Sequence, residues 1–286
     1  MRIDGSTRIV GVFGYPIKHT ASPPMHNAAF RALNLNWVYL PFEVRPDMLE
    51  SAVKAIGALN IQGMNVTIPH KRGVLQFMDG LSPEAEFIGA VNTIINKNGK
   101  LVGHNTDGEG FIRALKEENI LPTEKNILIL GAGGASYGIS RQLFLEGAKK
   151  IEIANRTFKK AEDLKRQLIQ YFPSGNVEIF PLEAPYLESA MRRVDILINA
   201  TSVGMKPDEH PIVREEWLDS PFDAVVDLIY NPPLTPLLKI AKEKGLKVIN
   251  GLSMLLHQGA LSFKLWTGRE APLEVMREEL YNQFKM

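Results

Sequence analysis

Apolar residues along this chain fall into short runs separated by stretches of helical period. Residues 8–13, 37–44, 63–68 and 89–95 are β-branched and aromatic runs bounded by turn formers, and they read as strands. Between the first two, Met25, Ala29, Phe30 and Leu33 recur at helical spacing, with Ser22 as N-cap and Pro23 as first helical residue. Pro46 opens a second helix that carries Leu49, Val53 and Ile56 on one face. Pro69-His70-Lys71 offers a third helix start, and Ser82-Pro83 a capped fourth. Asn98-Gly99 is a hairpin signal that returns the chain toward residues 103–108. A small mixed α/β domain over residues 1–107 is therefore expected.

The pattern changes after a linking helix at residues 111–118. Six apolar runs follow, at 127–130, 151–154, 177–180, 195–200, 224–228 and 247–250, with helical or loop connections. That is the strand count of a Rossmann doubly wound parallel sheet, here over residues 108–250. Two last helices are expected at 253–265 and 273–284, the second striped by Leu273, Met276, Leu280 and Phe284. As residues 251–286 they follow the sixth strand and are expected to return to the first domain.

Composition narrows the class. A chain of 286 residues, 45% hydrophobic and 23% charged, has material for two cores. A net charge of +1 supplies no basic field for nucleic acid. The absence of cysteine excludes disulfides, thiolate catalysis and cysteine-ligated metal. No apolar leader or membrane-length stretch stands out, so a cytoplasmic enzyme, monomer or homodimer, is expected.

The first run of the second domain enters Gly131-Ala-Gly-Gly-Ala135 and continues into a helical stretch. In that context Gly131 suits the tight turn and Gly133 the close approach of a pyrophosphate. Ser136 takes the small position where helix meets strand, and the helix N-terminus offers N–H groups to phosphate. The same glycines also suit an ordinary βα turn. At the next strand end, where an NAD site places a carboxylate, the chain reads Asn155-Arg156-Thr157, with Lys159 and Lys160 beyond. Guanidinium, hydroxyl and ammonium favour a 2′-phosphate, hence NADP(H). A solvated helix start is the alternative for the same residues.

Polar clusters end the strands of the first domain: Thr20 with Ser22, Asn65-Val-Thr67 with Lys71, Asn92-Thr93, and Asn105-Thr106-Asp107. Neutral amides and hydroxyls suit a polyhydroxylated substrate, and two hydroxyls beside a helix N-terminus suit a small carboxylate. Lys71 and Asp107 are the ionisable residues that fit an acid/base pair for hydride transfer.

These motifs resemble the shikimate dehydrogenase family, in order over nearly the whole chain. They include Gly14-x-Pro-Ile-x-His-x-x-Ser-Pro23, Asn65-Val-Thr-x-Pro-x-Lys71, Gly89-Ala-Val-Asn-Thr93 and Asn105-Thr-Asp-Gly108. The second domain adds Gly131-Ala-Gly-Gly-Ala135, Asn155-Arg-Thr157, Asn199-Ala-Thr-Ser-x-Gly-Met205, Asp227-x-x-Tyr230 with Thr235-Pro-Leu-Leu238, and Gly251-x-x-Met-Leu-x-x-Gln258. The resemblance implies reversible reduction of 3-dehydroshikimate to shikimate by NADPH, toward chorismate and the aromatic amino acids. It implies Lys71 and Asp107 as catalytic pair, and Thr20 and Ser22 on the ring carboxylate. Thr67, Asn92, Asp107 and Gln258 fall on the ring hydroxyls, with Tyr230 lining the same pocket. Gly131, Gly133, Gly134 and Ala135 fall on the pyrophosphate, and Asn155, Arg156, Thr157 and Lys160 on the 2′-phosphate. Met205, Gly251 and Met254 fall near the nicotinamide, and Thr201 is a further cofactor residue. One position departs from the family's Ser-x-Ser: Thr20-Ala-Ser22 adds a methyl beside the carboxylate, which bears on shikimate against quinate.

Six histidines are scattered without metal-ligand spacing on one element, and no metal site is expected. His70 and His104 read as packing or capping residues, and Asp227 as a cap on the turn toward Tyr230.

Overall fold

The computed structural model describes residues 3–206, 209–219 and 222–284. The chain divides into two compact units, Met1–Asp107 with Leu256–Met286, and Gly108–Leu255.

The first unit contains β1 (Arg8–Gly14), α1 (Ser22–Ala32), β2 (Trp37–Glu43), α2 (Leu49–Ala58), β3 (Gly63–Val66), β4 (Gly80–Leu81), α3 (Pro83–Ile88), β5 (Thr93–Lys97) and β6 (Lys100–His104). The sheet order is β2-β1-β3-β5-β6-β4. β1 runs parallel to β2 and β3, whereas β5 runs antiparallel to β3 and β6. The carboxyl ends of β1, β3 and β6 therefore share one sheet edge with the amino end of β5. Strand alternation splits the side chains between two faces. Phe13, Met64 and Val66 join Leu49, Val53 and Ile56 of α2 in one core.

The second unit contains α4 (Asp107–Glu117), which starts on the unit boundary, then β7 (Asn126–Leu130), α5 (Gly134–Leu145), β8 (Lys150–Asn155), α6 (Phe158–Tyr171) and β9 (Val177–Pro181). It continues with α7 (Ala184–Met191), β10 (Ile196–Asn199), β11 (Ala224–Asp227), α8 (Pro236–Glu243) and β12 (Val248–Ile249). The strand order is β12-β11-β10-β7-β8-β9, and every pairing is parallel. That is the doubly wound Rossmann order, with its switch point between β7 and β10.

Two helices close the chain, α9 (Gly251–Thr267) and α10 (Leu273–Asn282). The unit boundary falls inside α9, after Leu255, rather than after residue 250. In the first unit the later turns of α9 meet the sheet face opposite α2. Trp266 donates to the Ile94 oxygen at 3.0 Å. A side chain at Gly63 would meet the Trp266 ring at 2.2 Å, so glycine there admits the helix. α10 packs on α1, and the Gln283 amide donates to the Ala21 oxygen at 3.2 Å. No helix among the described residues is long and apolar enough to cross a membrane.

Three local expectations are corrected, and one short strand was not expected. Ser22 is the first residue of α1 and Ala21 its cap, without a side-chain cap bond. A cap at Ser22 would face Pro24 two positions on, which has no N–H to give. Residues 89–92 are not strand: Gly89 ends α3 in the left-handed region at φ 62°, and β5 begins at Thr93. β3 ends at Val66, and residues 67–71 form a turn that leads into a short 3₁₀ helix at Gly73–Phe77. β4 is two residues long, too short to carry a period.

Candidate active site

The loops at the shared edge of the first sheet bring Lys71 and Asp107 together. Lys71 follows β3 and Asp107 follows β6, and Lys71 Nζ donates to Asp107 Oδ2 at 2.6 Å. The lysine side chain is 32% exposed and the aspartate 13%, so the ammonium is open to an incoming ligand while its partner is shielded. Asn92, just before β5, donates from Nδ2 to Asp107 Oδ1 at 2.8 Å. The antiparallel course of β5 is what puts Asn92 at this edge.

The amide orientations follow from backbone groups that can play one role only. The Thr106 N–H donates to Asn92 Oδ1 at 2.9 Å, so Nδ2 must face Asp107. Asn65 Nδ2 faces the Asn92 carbonyl at 3.1 Å, Thr93 Oγ1 at 3.1 Å and Ser262 Oγ at 3.0 Å. Asn65 Oδ1 then accepts from the Tyr39 hydroxyl at 2.8 Å. Ser262 and Thr106 both donate to the Gln258 carbonyl, at 3.0 and 3.1 Å, which fixes that turn of α9 beside the loop after β6. A lysine paired with a carboxylate, ringed by oriented neutral amides, can pass a proton to a reacting oxygen while holding neighbouring hydroxyls.

Thr20 and Ser22 stand half-buried at the start of α1, on the loop after β1. Pro23 and Pro24 strip this helix end of two amide donors. Thr67 is half-buried, and its N–H donates to Phe13 O at 2.9 Å, which ties the loop after β3 to β1. His70 lies buried with Nε2 2.6 Å from Val44 O, a packing and bracing role.

In the second unit, Gly131 sits at φ 105°, and a side chain there would lie 3.0 Å from the Ala200 oxygen. β7 thus presses on the end of β10 at the switch point. Gly133 caps α5 without a side-chain bond, and a side chain at Gly133 or Gly134 would find nothing within 4 Å. The turn before Ala135 is therefore open and lined by backbone. Buried Ser136 donates to Gly131 O at 2.9 Å and ties the turn to the helix. Asn155 Oδ1 accepts from Ala132 N at 3.0 Å, so this residue braces the glycine turn from β8. Arg156, Thr157 and Lys160 are exposed at the same strand end, where no carboxylate stands. An open turn at a helix N-terminus beside exposed cationic side chains fits a dinucleotide with a 2′-phosphate.

Beyond β10, Thr201 donates to Asn199 Oδ1 at 2.7 Å, and Asn199 donates to Asp227 Oδ1 at 3.1 Å. Asp227 also accepts from Ile229 N at 3.0 Å and from Thr235 Oγ1 at 2.7 Å. Burial pushes its carboxyl up from the ordinary range, and these hydrogen bonds oppose the shift. Tyr230 follows β11, half-buried, with its phenol pushed up by burial. Gly251 starts α9 where a side chain would lie 2.1 Å from Leu228 O. Met205 is 56% exposed and Met254 half-buried.

Three family models match the chain in order. They are the shikimate dehydrogenase substrate binding domain over residues 12–94, shikimate / quinate 5-dehydrogenase over 115–228, and the shikimate 5′-dehydrogenase C-terminal domain over 251–281. A shikimate dehydrogenase (NADP(+)) of Desulforamulus reducens is 49% identical over 285 residues, 99% of this chain and 97% of that one. The chain belongs to the shikimate dehydrogenase family. The fold agrees with solved members. A shikimate dehydrogenase in complex with NADP+ superposes at a TM-score of 0.91 with 43% identity, covering 99% of this chain and 98% of that one. The Listeria monocytogenes shikimate 5-dehydrogenase, in complex with shikimate and NAD, gives 0.91 and 40%, covering 98% of each.

Within this shikimate dehydrogenase fold, hydrogen bonds join three of the residues singled out in the sequence, Lys71, Asn92 and Asp107. Tyr39 and Ser262 went unread. Tyr39 looks like any aromatic on a buried strand, and Ser262 like a small residue on an apolar helix. Their link to Asn65 crosses 26 and 197 positions, beyond any local pattern.

Proposed function

We propose that the chain catalyses the reversible, NADP-dependent interconversion of 3-dehydroshikimate and shikimate, as a cytoplasmic enzyme of aromatic amino acid and chorismate biosynthesis. The observation that carries this is the Lys71–Asp107–Asn92 array at one sheet edge of a chain in this family. The nicotinamide cofactor, when bound, supplies or takes the hydride at the carbon bearing the reacting oxygen. Lys71 gives its proton to that oxygen in reduction and takes it back in oxidation. Asp107 keeps the lysine aimed, and Asn92 keeps Asp107 aimed.

Thr20 and Ser22 hold the ring carboxylate. Thr67, Asn92, Asp107 and Gln258 hold the ring hydroxyls, and Tyr230 lines the pocket. The open turn at Gly131, Gly133, Gly134 and Ala135 takes the pyrophosphate. Arg156, with Asn155, Thr157 and Lys160, takes the 2′-phosphate, and Thr201, Met205, Gly251 and Met254 flank the nicotinamide. On this reading residues 1–107 with the C-terminal helices form the substrate unit, and residues 108–250 the NADP unit. A second reading, activity on both shikimate and quinate, is favoured by the extra methyl of Thr20 beside the carboxylate.

Steady-state oxidation of shikimate and quinate, each with NADP+ and NAD+, tests both. Turnover mainly with shikimate and NADP+ is expected, and Arg156→Ala should weaken NADP+ far more than NAD+. Comparable turnover on quinate would select the second reading. Equal loss of both cofactors in the variant would refute the phosphate assignment.

A further inference from the structure

The part of α9 that belongs to the first unit buries apolar residues, Ala260, Leu261 and Phe263 among them. Apolar contact is non-directional, so by itself it sets the height of a helix along a sheet only loosely. Polar groups set it here. Gln258, Ser262 and Trp266 follow one another at four-residue spacing and share a face of the helix. Each is tied to the sheet or its edge by a hydrogen bond. Trp266 Nε1 donates to Ile94 O of β5 at 3.0 Å. One turn back, Ser262 Oγ accepts from Asn65 Nδ2 at 3.0 Å and lies 2.8 Å from Thr93 Oγ1. A further turn back, the Gln258 carbonyl accepts from Thr106 Oγ1 at 3.1 Å. Thr106 Oγ1 in turn accepts from Asn92 Nδ2 at 2.9 Å, which puts the Gln258 turn level with Asn92 and Asp107.

Ser262 is the middle rung and serves both sides. Its proton goes to Gln258 O at 3.0 Å, while its lone pair takes the Asn65 amide from the sheet. Asn65 cannot be turned round, because its Nδ2 also faces the Asn92 carbonyl, which only accepts. Ser262 and Thr93 are fully buried and Asn65 is 8% exposed, so bulk water cannot replace a missing rung. A helix advances about 1.5 Å and turns about 100° per residue, and a hydrogen bond reaches about 3 Å, so a slip of one residue breaks every rung. We infer that Ser262 is a positioning residue for substrate binding: it pins the height of α9 along β5 and so sets where the Gln258 side chain meets the substrate. Gln258 as a ring-hydroxyl ligand comes from the function proposed above, on which this depends.

Ser262→Ala removes the middle rung and leaves Gln258 in the chain. It should raise KM for shikimate about two- to tenfold, the range of one lost hydrogen bond, with kcat within about twofold of the parent. The same substitution in a Gln258→Ala background should leave KM where Gln258→Ala alone puts it, because the side chain being positioned is gone. A merely structural role would lower the melting temperature in both backgrounds without this difference in KM. Ser262→Cys keeps a small polar group with weaker bonds, and gives the same readout if the alanine variant does not stay folded. An unchanged KM in the parent background, or the same factor in both backgrounds, overturns the inference. Gln258→Ala by itself separates the two levels. If it does not raise KM, the ring-hydroxyl assignment has failed and the role of Ser262 with it; if it does and Ser262→Ala is silent, only the role of Ser262 is refuted.

Discussion

Asn92 has no charge to contribute, but it orders the Lys71–Asp107 pair, because a backbone N–H on one side leaves its amide only one way to face Asp107. Removing the lysine should therefore separate chemistry from binding. Lys71→Ala is expected to lower kcat by about 10²- to 10⁴-fold with KM little changed, since Asn92 still holds Asp107. A loss confined to KM would mean that Lys71 only binds substrate. His26 poses the opposite case, a titratable ring used as a hydrocarbon. Both of its nitrogens are buried without a hydrogen-bond partner, among Phe30, Tyr39, Phe263 and Trp266. Burial pushes its pKa down from 6.5 to about 3. Above pH 6.5 neither folded nor unfolded chain protonates it, and it is neutral for stability. As the pH falls below 6.5 the unfolded chain takes a proton that the folded one refuses, so stability drops. His26→Phe should flatten this slope, with a difference from the parent of roughly 2–3 kcal/mol between pH 7 and about pH 4.5. Parallel urea-unfolding profiles at the two pH values would contradict it.

Among the elements, β8 departs from the apolar rule for a strand buried on both sides. Glu152 sits fully buried in its middle, between Leu128 of β7 and Glu178 of β9. The Arg193 guanidinium grips both of its oxygens at 2.8 Å, and Lys150 adds a third contact at 2.8 Å. A buried pair stabilises little by itself, but half of one is costly. Arg193→Leu is expected to lower unfolding free energy by about 3 kcal/mol, and Glu152→Leu added to it should restore much of that. Equal stability of the single and double variants in urea would sink the idea. Element boundaries were legible where local chemistry acts: Ser82 caps α3 by accepting from Ala85 N, and Asn98 and Gly99 turn with positive φ. They were not legible at residues 89–92, whose apolar residues are buried outside any strand and so carry the same pattern as a ladder.

Across the whole molecule, each unit holds its own core, and the proposed sites divide substrate from cofactor mainly between them. Amide hydrogen exchange should reflect that. Shikimate alone is expected to slow exchange at residues 65–71 and 92–107, and NADP+ alone at residues 131–136 and 155–160. Protection of the glycine turn by shikimate alone would contradict the division. By itself the sequence determined what short-range physics controls. The glycine that must take φ 105° at the switch point, the prolines at the head of α1, the strand and helix periods, and the presence of residue types that suit proton transfer and a 2′-phosphate are all local. Only the tertiary structure decided which polar groups share a proton. The antiparallel turn of β5 brings Asn92 to Asp107, and the return of α9 brings Ser262 to Asn65 across 197 positions. The reason is physical: a hydrogen bond is directional and reaches about 3 Å, so it is set by sheet order and helix placement, which no local pattern encodes.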